Sequence, residues 1–372
     1  MTIVNKIKHI HIPLYMALIV GLLTTSCKKK EEVTIAPPSI NDKIFFSQLK
    51  QASDELAKGD IWRGYNFDKM PMYFVHRDAE GTPTQGYLVN PVEPVLGATK
   101  VNDTESKGLD VYRYDLAMGQ ADEQLKAGNG LFDFYYPIGD TDYYLQAYTD
   151  EQVGDNWAIT VAVHECFHVF QRAGTWTTNS GAVVDRDNYP ITQELLSYQL
   201  LLLKIAEKMP QETDKAQLRT YLEMYVALRE QEMKLDPSRG QLVKFMANNQ
   251  EEREGSAQYV EYLVSARILS GYTTQRPSFT NINLAQLFFQ PQVKQAFSFN
   301  IWYGTGAAAL YMLASQGVDI ETQVQTDKNV YEVAAAYLNM AETQKSTVLE
   351  QAKVEFDWAS IQKEASRLWA LQ

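Results

Sequence analysis

Residues 157–172 read WAITVAVHECFHVFQR, and this stretch limits the folds open to the chain. His164 and His168 are four residues apart. On an α-helix, positions i and i+4 lie about 40° apart around the axis and one turn along it, so both imidazoles leave from one face. Trp157, Ile159, Val161, Val163, Phe167, Val169 and Phe170 surround them, which makes this helix a core element. The fold must bury this helix and still present one face of it to a cation. Glu165 stands beside the first histidine, where a carboxylate can take a proton from water on that cation. Residues 27–372 contain three histidines, and the motif holds two of them.

A catalytic zinc ion takes three protein ligands and leaves its fourth position to water. The remaining histidine, His76, lies in a strand-like run beside Arg77 and Asp78 and reads as a strand or surface residue. Carboxylates are the alternative. Residues 253–262 read REGSAQYVEY, within a helical pattern over 241–270. Glu254 is the candidate there, with Gly255 and Ala257 small enough to let its helix approach the motif helix. Glu194 is the rival, in a helix that begins after Pro190, although first-turn acids also suit the helix dipole. Glu261 follows Glu254 by two turns on nearly the same face, where it can orient a ligand from behind. Cys166 points from another face of the motif helix and reads as a small buried residue.

The rest of the chain places this helix in context. Hydrophobic residues make up 45% of the 372 and charged residues 22%, the balance of a globular protein. Net charge is −12, and the phosphates of nucleic acid repel a surface that acidic. With Cys27 and Cys166 as the two cysteines, a disulfide scaffold is excluded. Lys6 and Lys8 precede an apolar run over 12–23, and Thr24-Thr25-Ser26-Cys27 follows it. This resembles a bacterial lipoprotein signal: 1–26 removed, Cys27 lipidated, 27–40 a tether. An ordinary secretory cleavage nearby, or an uncleaved anchor, is the alternative. The expected location is the bacterial envelope, anchored to the outer membrane through lipid on Cys27.

Beyond the tether, residues 42–58 have helical apolar spacing, with Asp42 available as N-cap and Gly59 as a stop. Between 60 and 155, β-prone runs at 72–75, 86–89, 111–114, 131–136 and 143–148 are separated by turn residues, with one helical insertion over 115–126. After 155 the pattern is helical: 156–172, 191–208, 212–234, 241–270, 284–289, 305–315, 329–341 and 355–371. The expectation is an α+β protein. A small, mostly antiparallel sheet in 41–155 packs on a mainly α-helical part in 156–372.

His164-Glu165-x-x-His168 followed by Glu254-Gly255-x-Ala257-x-Tyr259-x-Glu261 resembles the gluzincin metallopeptidases, especially the alanyl-aminopeptidase-like families. The resemblance implies a zincin-like catalytic part, Zn2+ as cofactor, and Glu254 as third ligand. It extends to Tyr303-Gly304-Thr305-Gly306 on an apolar helix, which gives Tyr303 the family's role of hydrogen-bonding the oxyanion. In those families fewer than 20 residues part the second histidine from the glutamate; here 85 do, with two helical stretches between. No Gly-x-Met-Glu-Asn segment occurs, so recognition of a free amino terminus is not implied. The expected function is zinc-dependent hydrolysis of a peptide or protein substrate with Glu165 as general base. The alternative is a non-catalytic surface lipoprotein that binds peptide or glycan through aromatics such as Trp62, Trp157, Trp176 and Trp302. Hydrolysis of a non-peptide amide uses the same chemistry.

Overall fold

Alternation along the β-prone runs decides the layering. The computed structural model describes residues 36–68, 70–173, 176, 187–326 and 328–371, so the expected signal, Cys27 and most of the tether lie outside the described residues. The strands are β1 (Met72–Arg77), β2 (Pro83–Val89), β3 (Thr99–Lys100), β4 (Val111–Arg113), β5 (Phe132–Ile138) and β6 (Thr141–Thr149). They form one sheet in the order β3-β4-β2-β1-β6-β5. Tyr73, Val75, Leu88, Leu145 and Ala147 face one side, where Ala121 and Leu125 cover them. Met72, Phe74, Tyr87, Val89, Tyr144 and Tyr148 face the other and join the main core. Successive side chains point to opposite faces, so β1 is buried on both.

Four of the five pairings are antiparallel, as expected; β1 and β6, both interior strands, run parallel from Met72↔Tyr144 to Arg77↔Thr149. A parallel pair requires a long crossover. Residues 78–140 provide it, running through β2, β3, β4 and a helix before returning in β5.

The helices of nine or more residues, among those described, are α1 (Ile40–Leu56), α2 (Met118–Ala127), α3 (Trp157–Arg172), α4 (Gln193–Lys208), α5 (Lys215–Lys234), α6 (Leu242–Gln250), α7 (Ser256–Ile268), α8 (Ile301–Ser315), α9 (Val330–Leu338), α10 (Glu342–Glu355) and α11 (Trp358–Trp369). The pattern expected over 241–270 is interrupted by a π-turn at Glu251–Gly255. A second π-turn, Ala296–Asn300, leads into α8. Helix α8 buries Trp302, Ala307, Ala308, Ala309, Leu310, Met312 and Leu313, so it is enclosed on nearly all sides. Helix α10 was not apparent in the sequence because it buries only Val348 and Ala352. Residues 38–372 form one compact unit, and a continuous core runs from α1 and the sheet into the helices.

Asp42 is not the N-cap of α1. Ser39 is the cap, and Asp42 completes a capping box by accepting from the Ser39 N–H at 2.7 Å. The fully buried Asp42 carboxylate also accepts from the hydroxyls of Tyr148 (2.6 Å) and Tyr87 (2.9 Å), and lies 2.9 Å from His76 Nδ1. His76 is thus a buried strand residue, tying the sheet to the start of α1.

Candidate metal centre

Helix α3 is pinned to its surroundings through its own backbone. The Tyr65 hydroxyl donates to the Val163 carbonyl at 2.9 Å, and Gln146 Nε2, on β6, donates to the Ala158 carbonyl at 2.9 Å. Ala158, Ile159, Ala162, Val163, Cys166 and Phe167 are buried, as the apolar flanks of the motif required. The Cys166 thiol is fully buried beside Met72, and burial pushes its pKa well up, as for an inert core thiol.

The two imidazoles meet edge to face, with ring centroids 5.0 Å apart. Glu254 stands between their outer nitrogens. Its Oε2 lies 3.1 Å from His168 Nε2 and 3.5 Å from His164 Nε2, and one ligand atom from each of the three residues falls within 4.8 Å of the others. Ligand atoms about 2.0–2.1 Å from a tetrahedral ion stand about 3.3–3.4 Å apart, so these two separations suit zinc-like coordination with little movement. All three side chains are buried. Glu194, the rival ligand, is exposed on the first turn of α4 and outside this cluster.

Each inner nitrogen has its own acceptor. His164 Nδ1 pairs with Glu261 Oε2 at 3.1 Å, and His168 Nδ1 with Gln171 Oε1 at 2.7 Å. A proton held at Nδ1 leaves the Nε2 lone pairs directed at the metal position. Glu261 has the orienting position its spacing suggested. Arg276 Nη1 donates to it at 2.7 Å, and the Tyr272 hydroxyl lies at 3.3 Å. Gln171 Nε2 donates to the Arg253 carbonyl (3.0 Å) and to Ser256 Oγ (2.8 Å), which joins α3 to the segment carrying Glu254.

The electrostatics favour a cation. Burial would raise the Glu254 carboxyl, but the charge of His168 and hydrogen bonds from both imidazoles hold it well below the carboxylate range. Burial would lower the His164 imidazole, yet its hydrogen bonds to Glu254 and Glu261 carry it up to about 10. Without a metal, protons supply the positive charge these carboxylates require, so metal binding must release protons. Half-buried Glu165 has its carboxyl raised by burial, tempered by His164 and His168. That shift moves a carboxylate toward the range of a general base.

Glu254 lies in the π-turn, where an extra residue re-aims the side chains of a helix. Glu251 anchors that turn. Its carboxylate accepts from the Tyr225 hydroxyl and from Thr305 Oγ1 of α8, both at 2.5 Å, and pairs with the buried Arg229, which also pairs with Glu232. The size of Gly255 had suggested a close approach to the motif helix, but the space at this glycine is closed by another element. Gly255 meets Gly306 of α8, and the small side allows that contact instead. Two residues before Gly304, Trp302 is buried; Tyr303 is half-buried, with its ring stacked on His164 at 5.6 Å and 15°. Tyr303 thus borders the cluster, at the place the resemblance implied for it.

Several residues of the site carried no advance signal. Gln171 is three residues after His168, a helical neighbour that spacing alone could have indicated. Arg276 and Phe134 arrive from distant segments, and nothing local marks them. Of the aromatics named for a binding surface, Trp62, Trp176 and Trp302 are buried, with Trp62 stacked on Trp176 at 5.4 Å inside the core, and Trp157 is half-buried. Compared with protein families, curated proteins and solved structures, the chain matches none.

Proposed function

We propose that this chain is a zinc-dependent hydrolase of peptide bonds. The observation that carries the reading is the convergence of His164, His168 and Glu254, each histidine backed at Nδ1, with Glu165 on the same helix. Zinc held by these three residues supplies Lewis acidity toward a water and toward the scissile carbonyl. Glu165 takes the proton of the attacking water and delivers it to the leaving amine. Tyr303, beside His164, donates a hydrogen bond to the oxyanion as charge develops there. Burial of Trp62, Trp176 and Trp302 supports this reading over an aromatic binding surface built on them.

The substrate is a peptide or protein segment in extended form. Strand β5 is an edge of the sheet, and an edge offers unpaired backbone groups to an added strand. Its Phe134 ring approaches His168 at 6.1 Å, so a chain added there passes the metal position. Lipid on Cys27 would tether the enzyme at the bacterial outer membrane. Among the described residues no helix is long and apolar enough to cross a membrane.

Metal content by mass spectrometry, on the wild type and on Glu254→Ala, tests the site. The expected result is one zinc per chain, lost or sharply weakened in the variant. Glu165→Gln should keep the metal and lose hydrolysis of a peptide library. A folded, zinc-supplemented wild type without metal would overturn the proposal, as would full hydrolysis by Glu165→Gln.

A further inference from the structure

The face of α3 that carries the ligands continues one turn further. His164, His168 and Arg172 follow at intervals of four, and helical side chains lean toward the N-terminus, so Arg172 leans back toward His168. Its guanidinium carbon sits 3.9 Å from the centroid of the Phe134 ring. Phe134 lies where the β5–β6 register breaks between Asp133 and Tyr136, and such a bulge re-aims a side chain. One ring therefore touches both His168 and Arg172. Stacking engages the flat face of a guanidinium and leaves its N–H edge open.

That open edge is unusual in this chain. Acids outnumber bases by 46 to 34, and most of the described arginines have a carboxylate partner. Arg172, exposed beside the candidate centre, has none among the described residues. A second arginine lies across from the neighbouring Gln171. Arg253, whose carbonyl accepts from Gln171, is 39% exposed and 3.8 Å from Glu254 Oε1. A last-turn arginine also suits the helix dipole, but that role requires no stacking on a strand.

We infer that the rim on the His168 side is a carboxylate receptor, in which Arg172 binds an acidic group of a peptide lying along β5. The substrates are then peptides with an aspartate or glutamate near the scissile bond, or with a free C-terminal carboxylate close to it. The inference rests on the proposed zinc hydrolase.

The test uses short hydroxamate-capped peptides with the zinc-loaded protein, read by calorimetric affinity. One arm exchanges glutamine for glutamate at each position in turn; the other exchanges an amidated for a free C-terminus. At one position or at the terminus, the acidic probe should bind at least about fivefold tighter than its neutral twin. The arm that shows the difference identifies the source of the carboxylate. In Arg172→Gln that acidic-to-neutral ratio should fall to about one, with zinc content measured in parallel as the control for folding. Equal binding of every pair by the wild type, or an unchanged ratio in Arg172→Gln, would overturn the inference while leaving the zinc site in place. Failure of any hydroxamate to bind the wild type would overturn the zinc hydrolase reading, and the inference with it.

Discussion

Gly255 and Gly306 meet backbone to backbone. A Cβ on Gly255 would lie 2.7 Å from the Gly306 Cα, and one on Gly306 would lie 2.6 Å from the Glu251 carbonyl oxygen. Glu254 precedes the first glycine, and Tyr303 lies one turn before the second. The contact therefore sets how the third candidate ligand and the candidate oxyanion donor stand to each other.

Gly306→Ala tests that contact. Helix propensity alone favours alanine by about 1 kcal/mol, so any net loss comes from crowding. Backbone atoms cannot rotate away, and forcing α8 from the π-turn should cost about 1–3 kcal/mol. Urea unfolding measures the loss, and zinc affinity should fall with it. A midpoint equal to wild type would remove the glycine pair from the account of the site.

Arg276 is linked to the candidate metal position through Glu261 and His164. Arg276→Gln removes the donor that fixes the Glu261 carboxylate. Zinc affinity should drop about 10–100-fold, as is typical when the partner behind a ligand is lost. Arg276→Lys should restore part of it. Competition with a zinc chelator reads the change, and identical affinities in all three proteins would show that Glu261 needs no anchor.

Glu194 is exposed and outside the cluster, so Glu194→Ala should bind zinc as wild type does. The same titration on Glu254→Ala should show the site lost. The reverse pattern would move the third ligand to α4.

The His76–Asp42 pair links stability to pH. Burial would raise the Asp42 carboxyl, but hydrogen bonds from His76 and Tyr148 hold it below its ordinary 3.8. Burial would lower His76, but its hydrogen bond to Asp42 and the charges of Asp42 and Asp150 raise it above its ordinary 6.5. A depressed aspartate stabilises above its unfolded pKa and loses that contribution as pH falls through the folded value. A raised histidine stabilises below its unfolded pKa and loses that contribution as pH rises through the folded value. The pair should thus contribute most between about pH 4 and 6.5. The difference in melting temperature between wild type and His76→Asn should be greatest there and shrink on either side. A difference that does not vary with pH would show that the pair is packed rather than charged.

Much of the site was legible because it is written in local spacing. The motif helix, the two histidines on one face and Glu165 beside them follow from a period of 3.6 residues. Glu261 was legible relative to Glu254 for the same reason, since two turns keep them near one face, whereas Glu254 itself was marked by its small neighbours and by the resemblance of its motif. The hairpin strands were visible from alternation and turn residues. Helix α10 was not, because its first six residues are polar and it buries only two side chains. The π-turn was not, because its residues keep helical backbone angles and a helical pattern on either side.

A helix, its faces and its chemistry arise from neighbours along the chain, and for that reason His164, Glu165 and His168 could be read directly. The closing of the ligand set could not. Glu254 reaches the histidines because a glycine pair brings α8 against a π-turn, Glu251 locks the two together, and Arg276 steadies Glu261 from a separate loop. Those contacts join segments far apart in the chain and depend on how a common core packs, which spacing along one segment does not encode.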